Sequence, residues 1–510
     1  MELVKLLLIF HFLGGYILIR LLNKDALNKL KLFYLLKESD EIQTISSVSK
    51  KFSLDKRTTH RLLQAFQQDI LQFCLEKDIH LDFQNERNII FTLVDSFDPQ
   101  ILYVNYLEQS INFKACLDIF NHDFTNISQF SAKHYQSVST TKRYLDSLKR
   151  LVKQYDLTLD LAKNQMIVGK EHQIRYFYYT FFWESYSSTQ WPFPDIDLHR
   201  LQVTLHDITK NFKNLPIPDV NKMIVWIAVS LIRIKQGYVI DYEEDYQQFQ
   251  NHNLSYDQFR EFALTLAETL SLPAELLTKY ELQFLYFSLA TTSSFSHHDF
   301  YSVVDIDTNH EFVPVTASQI WIKRFCTFFE ISLTPNEYFY LYTNLLSLHS
   351  RALYLIGPSN VYGILDNGSN IFKRSPDNYV KIKQFCLKLE RDEPYFSLIF
   401  KRNNQLIPQY LILVLDLLKR KEKPVSIYLA SGLNVIERDS LQEQMKDLNP
   451  FPIVFNEHIE DIDLIITDVS IPKIFSKDIP VFHWNPIPTK KDLKLVTKLL
   501  SELHYVKNNK

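Results

Sequence analysis

Glycine is scarce, with eight residues in 510, where roughly 7% is ordinary usage. So few positions able to take a positive φ or to let a phosphate approach the backbone argue against glycine-rich nucleotide loops. Nineteen prolines leave long stretches of Leu, Lys, Phe and Tyr without a breaker, which favours helices joined by short loops. Four cysteines, Cys74, Cys116, Cys326 and Cys386, stand far apart with no CxxC pair and no histidine at ligand spacing. Neither a disulfide framework nor a zinc site is suggested, no cofactor or metal is expected, and the reduced cytoplasm is the natural compartment. A strong net charge is missing as well, since 56 Lys and Arg face 59 Asp and Glu for a balance of −3.

Long apolar runs are also wanting. Leu6 to Ile19 carries no formal charge but is interrupted by His11, Gly14 and Gly15, falls short of the roughly 20 residues a spanning helix needs, and is followed by no small-residue cleavage site. Residues 1–20 read as a partly buried apolar leader or as translation from upstream of the usual start, with an interfacial or membrane anchor as the alternative. The sequence as a whole is 46% hydrophobic and 23% charged and reads as a folded chain of three or four domains by a length prior of roughly 150 residues each.

The first half contains an internal repeat. At an offset of 82, Ile45, Ser46, Ser49, Lys51, Thr58, Thr59, Arg61 and Leu63 fall on Ile127, Ser128, Ser131, Lys133, Thr140, Thr141, Arg143 and Leu145 without a gap. Val48, Phe66 and Ile70 fall on Phe130, Leu148 and Val152, keeping the apolar face of a helix. Each copy predicts a short helix (Thr44 to Phe52; Asn126 to Tyr135), a turn, and a longer helix (Asp55 to Phe73; Ser139 to Tyr155) that Asp55, and Ser137 or Ser139, would cap. Alternating runs come next, Ile79, Leu81 and Phe83 with Ile89 and Phe91, then Leu157, Leu159 and Leu161 with Met166 and Val168, each pair reading as a hairpin. Helix, helix, hairpin is a winged helix-turn-helix.

Both copies are basic in a chain that is not. Residues 42–68 hold five cations against Asp55, and residues 126–155 hold six against Asp146. Positive potential gathered on two helices suits phosphate contact and counterion release, so double-stranded DNA is the expected partner. The start of each second helix would enter the major groove, making Lys56, Arg57, Thr58, His60 and Arg61, and Ser139, Thr140, Lys142 and Arg143, the contact candidates. Thr59 and Thr141 could instead simply pack at the turn, and Arg61 and Arg143 could pair with carboxylates.

Helical spacing continues through Val220 to Ile234, Tyr256 to Leu270, Pro273 to Leu289, Ala317 to Glu330 and Pro335 to Leu355, with the polar stretch Thr291 to Asn309 as a linker. The period then changes: Val425–Leu429, Pro452–Phe455, Leu464–Asp468 and Val481–Trp484 read as strands, Glu437–Leu448 and Thr489–Leu503 as helices, giving a small parallel α/β sheet. His297, His298 and Asp299 lie in the linker with no catalytic frame around them, so no enzyme is expected.

Ser139-Thr140-Thr141-Lys142-Arg143-Tyr144-Leu145, then Gly169-Lys170-Glu171-His172-Gln173-Ile174-Arg175-Tyr176-Phe177, then Trp183 and Trp191-Pro192-Phe193, in this order behind a winged helix, resemble the Mga family of Gram-positive transcription regulators. The resemblance implies a mainly α chain: winged helix-turn-helix modules at 21–95 and 96–180, helical domains similar to phosphotransferase-system regulation domains at 181–292 and 300–420, and a domain similar to a sugar-transport EIIB component at 423–510. It also implies promoter binding as a homodimer or larger homo-oligomer, activation in preference to repression, and contact with phosphocarrier proteins and RNA polymerase. Phosphorylation of histidine is implied as the switch. His349, with Arg351 close by, is the candidate in the second helical domain; the first opens Asp219-Val220-Asn221-Lys222 without a histidine, leaving His199 and His206 upstream. The loop Ala430-Ser431-Gly432-Leu433-Asn434 lacks the nucleophilic cysteine of a catalytic EIIB domain, so a dimerisation or docking role is expected there rather than sugar phosphotransfer. The alternative to a regulator is a phosphotransferase-linked signalling or scaffold protein with weak nucleic-acid binding.

Overall fold

The offset of 82 persists in the backbone itself. The structure is a computed structural model and describes residues 17–39, 42–83, 88–186, 190–209, 217–249, 256–269, 273–292, 312–358, 376–402, 406–419, 422–449, 451–458, 461–470, 479–485 and 487–508. After a 3₁₀ turn at Ile17–Leu21 and α1 (Lys24–Lys37), the first copy comprises α2 (Ile45–Phe52), α3 (Lys56–Gln72), β1 (Ile79–Asp82) and β2 (Ile90–Leu93). Next come α4 (Pro99–Gln109) and α5 (Ile111–Phe120). The second copy is built of α6 (Ile127–Lys133), α7 (Val138–Lys153), β3 (Thr158–Leu159) and β4 (Ile167–Val168).

Thr44 and Asn126 cap the short helices, and Asp55 and Ser137 cap the long ones, each supplying a side-chain oxygen to an amide that the helix leaves unpaired. Ser137 rather than Ser139 is the cap, so α7 starts one residue early. Left-handed residues recur at matched places: Ser53 (φ 53°) and Tyr135 (φ 52°) between the helices, Cys74 (φ 56°) and Asp156 (φ 58°) after them. Both hairpins are antiparallel, with Ile79 opposite Leu93 and Thr158 opposite Val168.

Residues 17–20, within the stretch expected to be a leader, belong to the folded body. Leu18 and Leu21 are buried, Leu18 N–H donates to Glu184 Oε2 at 3.1 Å and Ser110 Oγ donates to Leu21 O at 2.5 Å. No helix among the described residues is long and apolar enough to cross a membrane.

A helix buried nearly all round joins the second copy to a further set of helices. It is α8 (Glu171–Tyr186), whose Phe177, Phe181 and Phe182 are sealed from solvent. Beyond it lie α9 (Leu198–Thr209), α10 (Ile217–Lys235), α11 (Tyr256–Thr269), α12 (Lys279–Ala290), α13 (Val313–Phe329) and α14 (Pro335–Tyr354). Tyr179 of α8 stacks on Trp226 of α10 with centroids 4.2 Å apart. The single helix expected over Pro273 to Leu289 is broken: Ala274–Leu276 is a 3₁₀ turn, and Thr278 caps α12 by accepting from Glu281 N. The expected linker, with His297, His298 and Asp299, lies almost wholly outside the described residues.

Glu171 and Arg175 of α8 meet Arg233 at the end of α10 and Glu281 in the first turn of α12. Arg175 donates to Glu281 at 2.6 and 2.7 Å and to Glu171 at 3.1 Å. Arg233 donates to Glu171 at 2.9 and 2.7 Å. The Tyr238 carbonyl and the Ile240 amide complete the set at 2.9 and 2.5 Å. All four side chains are buried. Burial alone would favour loss of the Arg175 proton, but Glu281 and Glu171 outweigh it and hold the guanidinium charged.

The chain forms two compact units. The first contains the described residues up to 358 together with 389–402 and Leu406; the second contains 376–388 and 407–508. Of the helical domain expected at 300–420, residues 376–388 and 407–419 thus fall in the second unit. In the first unit α15 (Pro376–Asp392) ends and α16 (Pro394–Arg402) lies; α17 (Leu406–Lys419) goes with the second. That unit holds a parallel sheet in the order β6 (Ile453–Phe455), β5 (Val425–Ala430), β7 (Leu464–Thr467), β8 (Val481–His483), with α18 (Val435–Leu448) and α19 (Lys490–Asn508). Val425, Ile427, Leu464, Ile466 and Trp484 pack with Met445, Val496 and Leu500 as its core.

Removing one member of the buried charge set strands its partner, so Glu281→Gln is expected to destabilise the chain by about 3–5 kcal/mol. Glu281→Leu combined with Arg175→Met should cost less than Glu281→Leu alone, as read by denaturant unfolding midpoints.

Candidate nucleic-acid interface

The two helices of each copy are fastened by a pair of buried hydroxyls. Ser49 Oγ lies 2.9 Å from Thr59 Oγ1, and Ser131 Oγ lies 2.8 Å from Thr141 Oγ1. Thr59 Oγ1 also donates to the Asp55 carbonyl and Ser131 Oγ to the Ile127 carbonyl. Thr59 and Thr141 are thus interior fasteners. The latch fixes how the second helix crosses the first and leaves its opposite face outward.

On that outward face Lys56, Arg57, Thr58 and Arg61 of α3, and Ser139, Lys142 and Arg143 of α7, are exposed. Among the described contacts no carboxylate holds Arg61 or Arg143; Arg143 instead lies 5.7 Å from the centroid of the Tyr144 ring. Four candidates are otherwise engaged, among them Ser139, whose Oγ lies 3.0 Å from Ser137 Oγ. His60 is half-buried, with its ring edge-on to Phe83 at 5.3 Å, so it ties α3 to its wing. Thr58 Oγ1 donates to Asp55 Oδ2 at 2.6 Å, and Ser137 Oγ donates to Thr140 Oγ1 at 2.8 Å. These two hydroxyls belong to the helix caps, and the Thr58 bonds hold the Asp55 carboxyl below its usual range. Lys133 is drawn away by Asp118 at 2.9 Å. Lys149, Arg150 and Lys153, counted in the charge of the copy but not among the candidates, extend the exposed cationic face along α7.

The polar residues behind the second copy hold the fold together. Within Glu171-His172-Gln173-Ile174-Arg175, Glu171 and Arg175 enter the buried charge set. His172 Nδ1 lies 3.0 Å from the Tyr242 hydroxyl. Gln173 pairs with Ile356, whose amide donates to Gln173 Oε1 at 3.0 Å and whose carbonyl accepts from Nε2. A Cβ on the neighbouring Gly357 would stand 2.6 Å from the Tyr155 ring, so only glycine passes there.

Residues 95–182 match the Mga helix-turn-helix domain. The match runs from just before α4 into α8 and contains the whole second copy. By this match residues 95–182 are similar to the helix-turn-helix domain of the Mga family. The chain is similar to the capsule synthesis positive regulator AcpA of Bacillus anthracis, 23% identical over 224 residues, which is 44% of this chain and 45% of that protein. It is also similar to a protein named as a trans-acting regulator in Streptococcus pneumoniae serotype 4, 26% identical over 155 residues, 30% of this chain and 31% of the relative. The matched stretches thus span less than half the length of either relative. The Mga domain includes the Ser131–Thr141 latch, the Ser137 cap and the cations of α7.

The three histidines considered as phosphoacceptors differ sharply in their surroundings. His349 is fully buried on α14, its Nδ1 2.9 Å from Ser318 Oγ and its ring edge-on to Phe396. A phosphoryl donor has no path to it in this conformation, and proximity of Arg351 in sequence does not alter that. His199 is exposed on α9, and the side chain of His206 lies outside the described residues. In the second unit, the loop after β5 is closed by Asp468 of the strand beside it, which accepts from Ser431 Oγ at 2.7 Å and from Gly432 N–H at 2.8 Å. A carboxylate stands where an incoming anion would need those donors.

Burial pushes the His349 imidazole down from 6.5 to about 3, and His172 likewise to about 3. Below pH 6.5 the unfolded chain takes up a proton at each while the folded chain does not until about pH 3, so stability falls as pH falls across that window. The slope is about 1.4 kcal/mol per pH unit per histidine. Unfolding free energies measured at pH 5 and 6 are expected to show about one proton less taken up in a His349→Leu variant.

Proposed function

We propose that the chain is a cytoplasmic transcription regulator that binds promoter DNA through both winged helix-turn-helix copies, as a homo-oligomer, and activates transcription. The observation that carries the reading is the duplicated latch and cap. Two second helices are held alike, each with exposed Lys and Arg at its start, and the second lies inside the Mga domain match. Arg57, Arg61 and Arg143 suit bidentate pairing with guanine; Lys56, Lys142, Ser139 and the Thr140 hydroxyl suit phosphate contact, while Thr58 serves by holding the Asp55 cap. His60 serves by bracing the first wing. Activation is taken from the relative named as a positive regulator, and recruitment of RNA polymerase is the corresponding partner contact.

The Mga assignment favours a regulator over an enzyme. Phosphocontrol by phosphotransferase-system carriers is proposed at His199, whose exposure supports it. Either His349 would need α13 and α14 to part first, or it is the core histidine that its Ser318 bond suggests.

Mobility shifts over a series of salt concentrations test the DNA reading. Binding that persists at physiological salt with a steep slope is expected, and Lys142→Ala with Arg143→Ala should lower the slope of log K against log salt by about two. Promoter affinity and slope both untouched by that pair would instead favour a phosphotransferase-linked scaffold. For phosphocontrol, incubation with a phosphorylated phosphocarrier protein is expected to label the wild type and His349→Ala equally and to leave His199→Ala unlabelled.

A further inference from the structure

The turn between α6 and α7 holds a side chain that the fold does not use. Tyr135 has φ 52° and is 95% exposed. A bulky residue in the left-handed region is strained, and glycine or asparagine would sit there at less cost. The backbone of the turn is satisfied whatever the side chain: Tyr135 N–H donates to Ala132 O at 3.2 Å and Gln136 N–H to Ser131 O at 2.9 Å. The first copy closes the same turn, at nearly the same φ, with Ser53. The phenol ring therefore contributes nothing that the turn requires, and almost all of it stands in water.

The next charged residues after it in the chain are both cationic. Tyr135 precedes the Ser137 cap by two residues and Ser139 by four, and the exposed cations Lys142 and Arg143 come on the next turn of α7. A ring with an apolar face and a terminal hydroxyl, set beside cations at the start of a groove-entering helix, fits the edge of a duplex. There the deoxyribose and base edge are apolar and the phosphate accepts a hydrogen bond.

We infer that Tyr135 is a DNA-contact residue of the second copy, its ring packing on deoxyribose and base edge beside α7 and its hydroxyl donating to a backbone phosphate. The inference rests on the proposed DNA-binding function. It makes the two copies unequal, the second being the tighter grip.

The test uses the full chain and a duplex enriched from a random-sequence pool by the wild-type protein. Tyr135→Gly, Tyr135→Phe and the pair Lys142→Ala with Arg143→Ala are compared for melting temperature, affinity and salt slope. Tyr135→Gly is expected to melt at or above the wild-type temperature, since the strain is relieved. It should nonetheless bind about five- to thirtyfold more weakly with the salt slope unchanged, and Tyr135→Phe should fall between. A merely structural tyrosine would not separate stability from affinity in this way. If Tyr135→Gly binds like wild type while the charge pair loses affinity, Tyr135 is no DNA contact and the function reading stands. If neither binds differently from wild type, the DNA reading itself fails. A change of oligomeric state with unchanged affinity assigns the ring to a protein contact and overturns the inference.

Discussion

Two arginines and two glutamates, enclosed where α8, α10 and α12 meet, set the frame on which the first unit is built. Each charge has a partner of opposite sign, and the Tyr238 carbonyl, the Ile240 amide and the Gln236 side chain take up further donors and acceptors. Taking ions out of water is costly, and mutual attraction repays it only when geometry is good and no group is left over. The set therefore admits one arrangement of the three helices and penalises slippage among them. Because α8 continues directly from the second wing, that arrangement also fixes how the second copy is seated on the helical region behind it.

Within each copy a different economy operates. A hydroxyl pair, a capping oxygen and a left-handed turn residue recur at one spacing, so the crossing of the two helices is specified by local bonds rather than by bulk. The apolar residues beneath differ between copies, Val48 against Phe130 and Phe66 against Leu148. Local polar bonds have held the geometry while the packing changed. The face turned outward is thereby free to carry cations.

Much of this was legible from sequence because it is local or periodic. The offset of 82, the caps, the hairpin runs and the four strands of the parallel sheet all come from spacing and residue type. What escaped depends on distant partners. Glu171 and Arg175 look like an ordinary solvated pair one helical turn apart until Arg233 and Glu281, respectively 62 and 106 positions further on, are brought against them. Pro273 has the look of a first helical residue, yet Thr278 takes the cap. His349 shows no sign in sequence of the Ser318 hydroxyl, 31 residues upstream, that accompanies it in the core. Tyr135 passed as the end of a helix because exposure and a positive φ leave no mark in a hydrophobic pattern.

The seating of α8 bears on what the recognisable stretch can do alone. Residues 95–182 bear the family likeness, but Arg233, Glu281 and Ile356 lie downstream of them. Excised at that border, the peptide would leave Arg175 and Gln173 facing solvent from an otherwise greasy helix, and the Tyr155 ring would lose the glycine against which it lies. The second copy is thus a limb and not a tool that detaches: its sequence signature is shorter than the piece of protein needed to hold it upright.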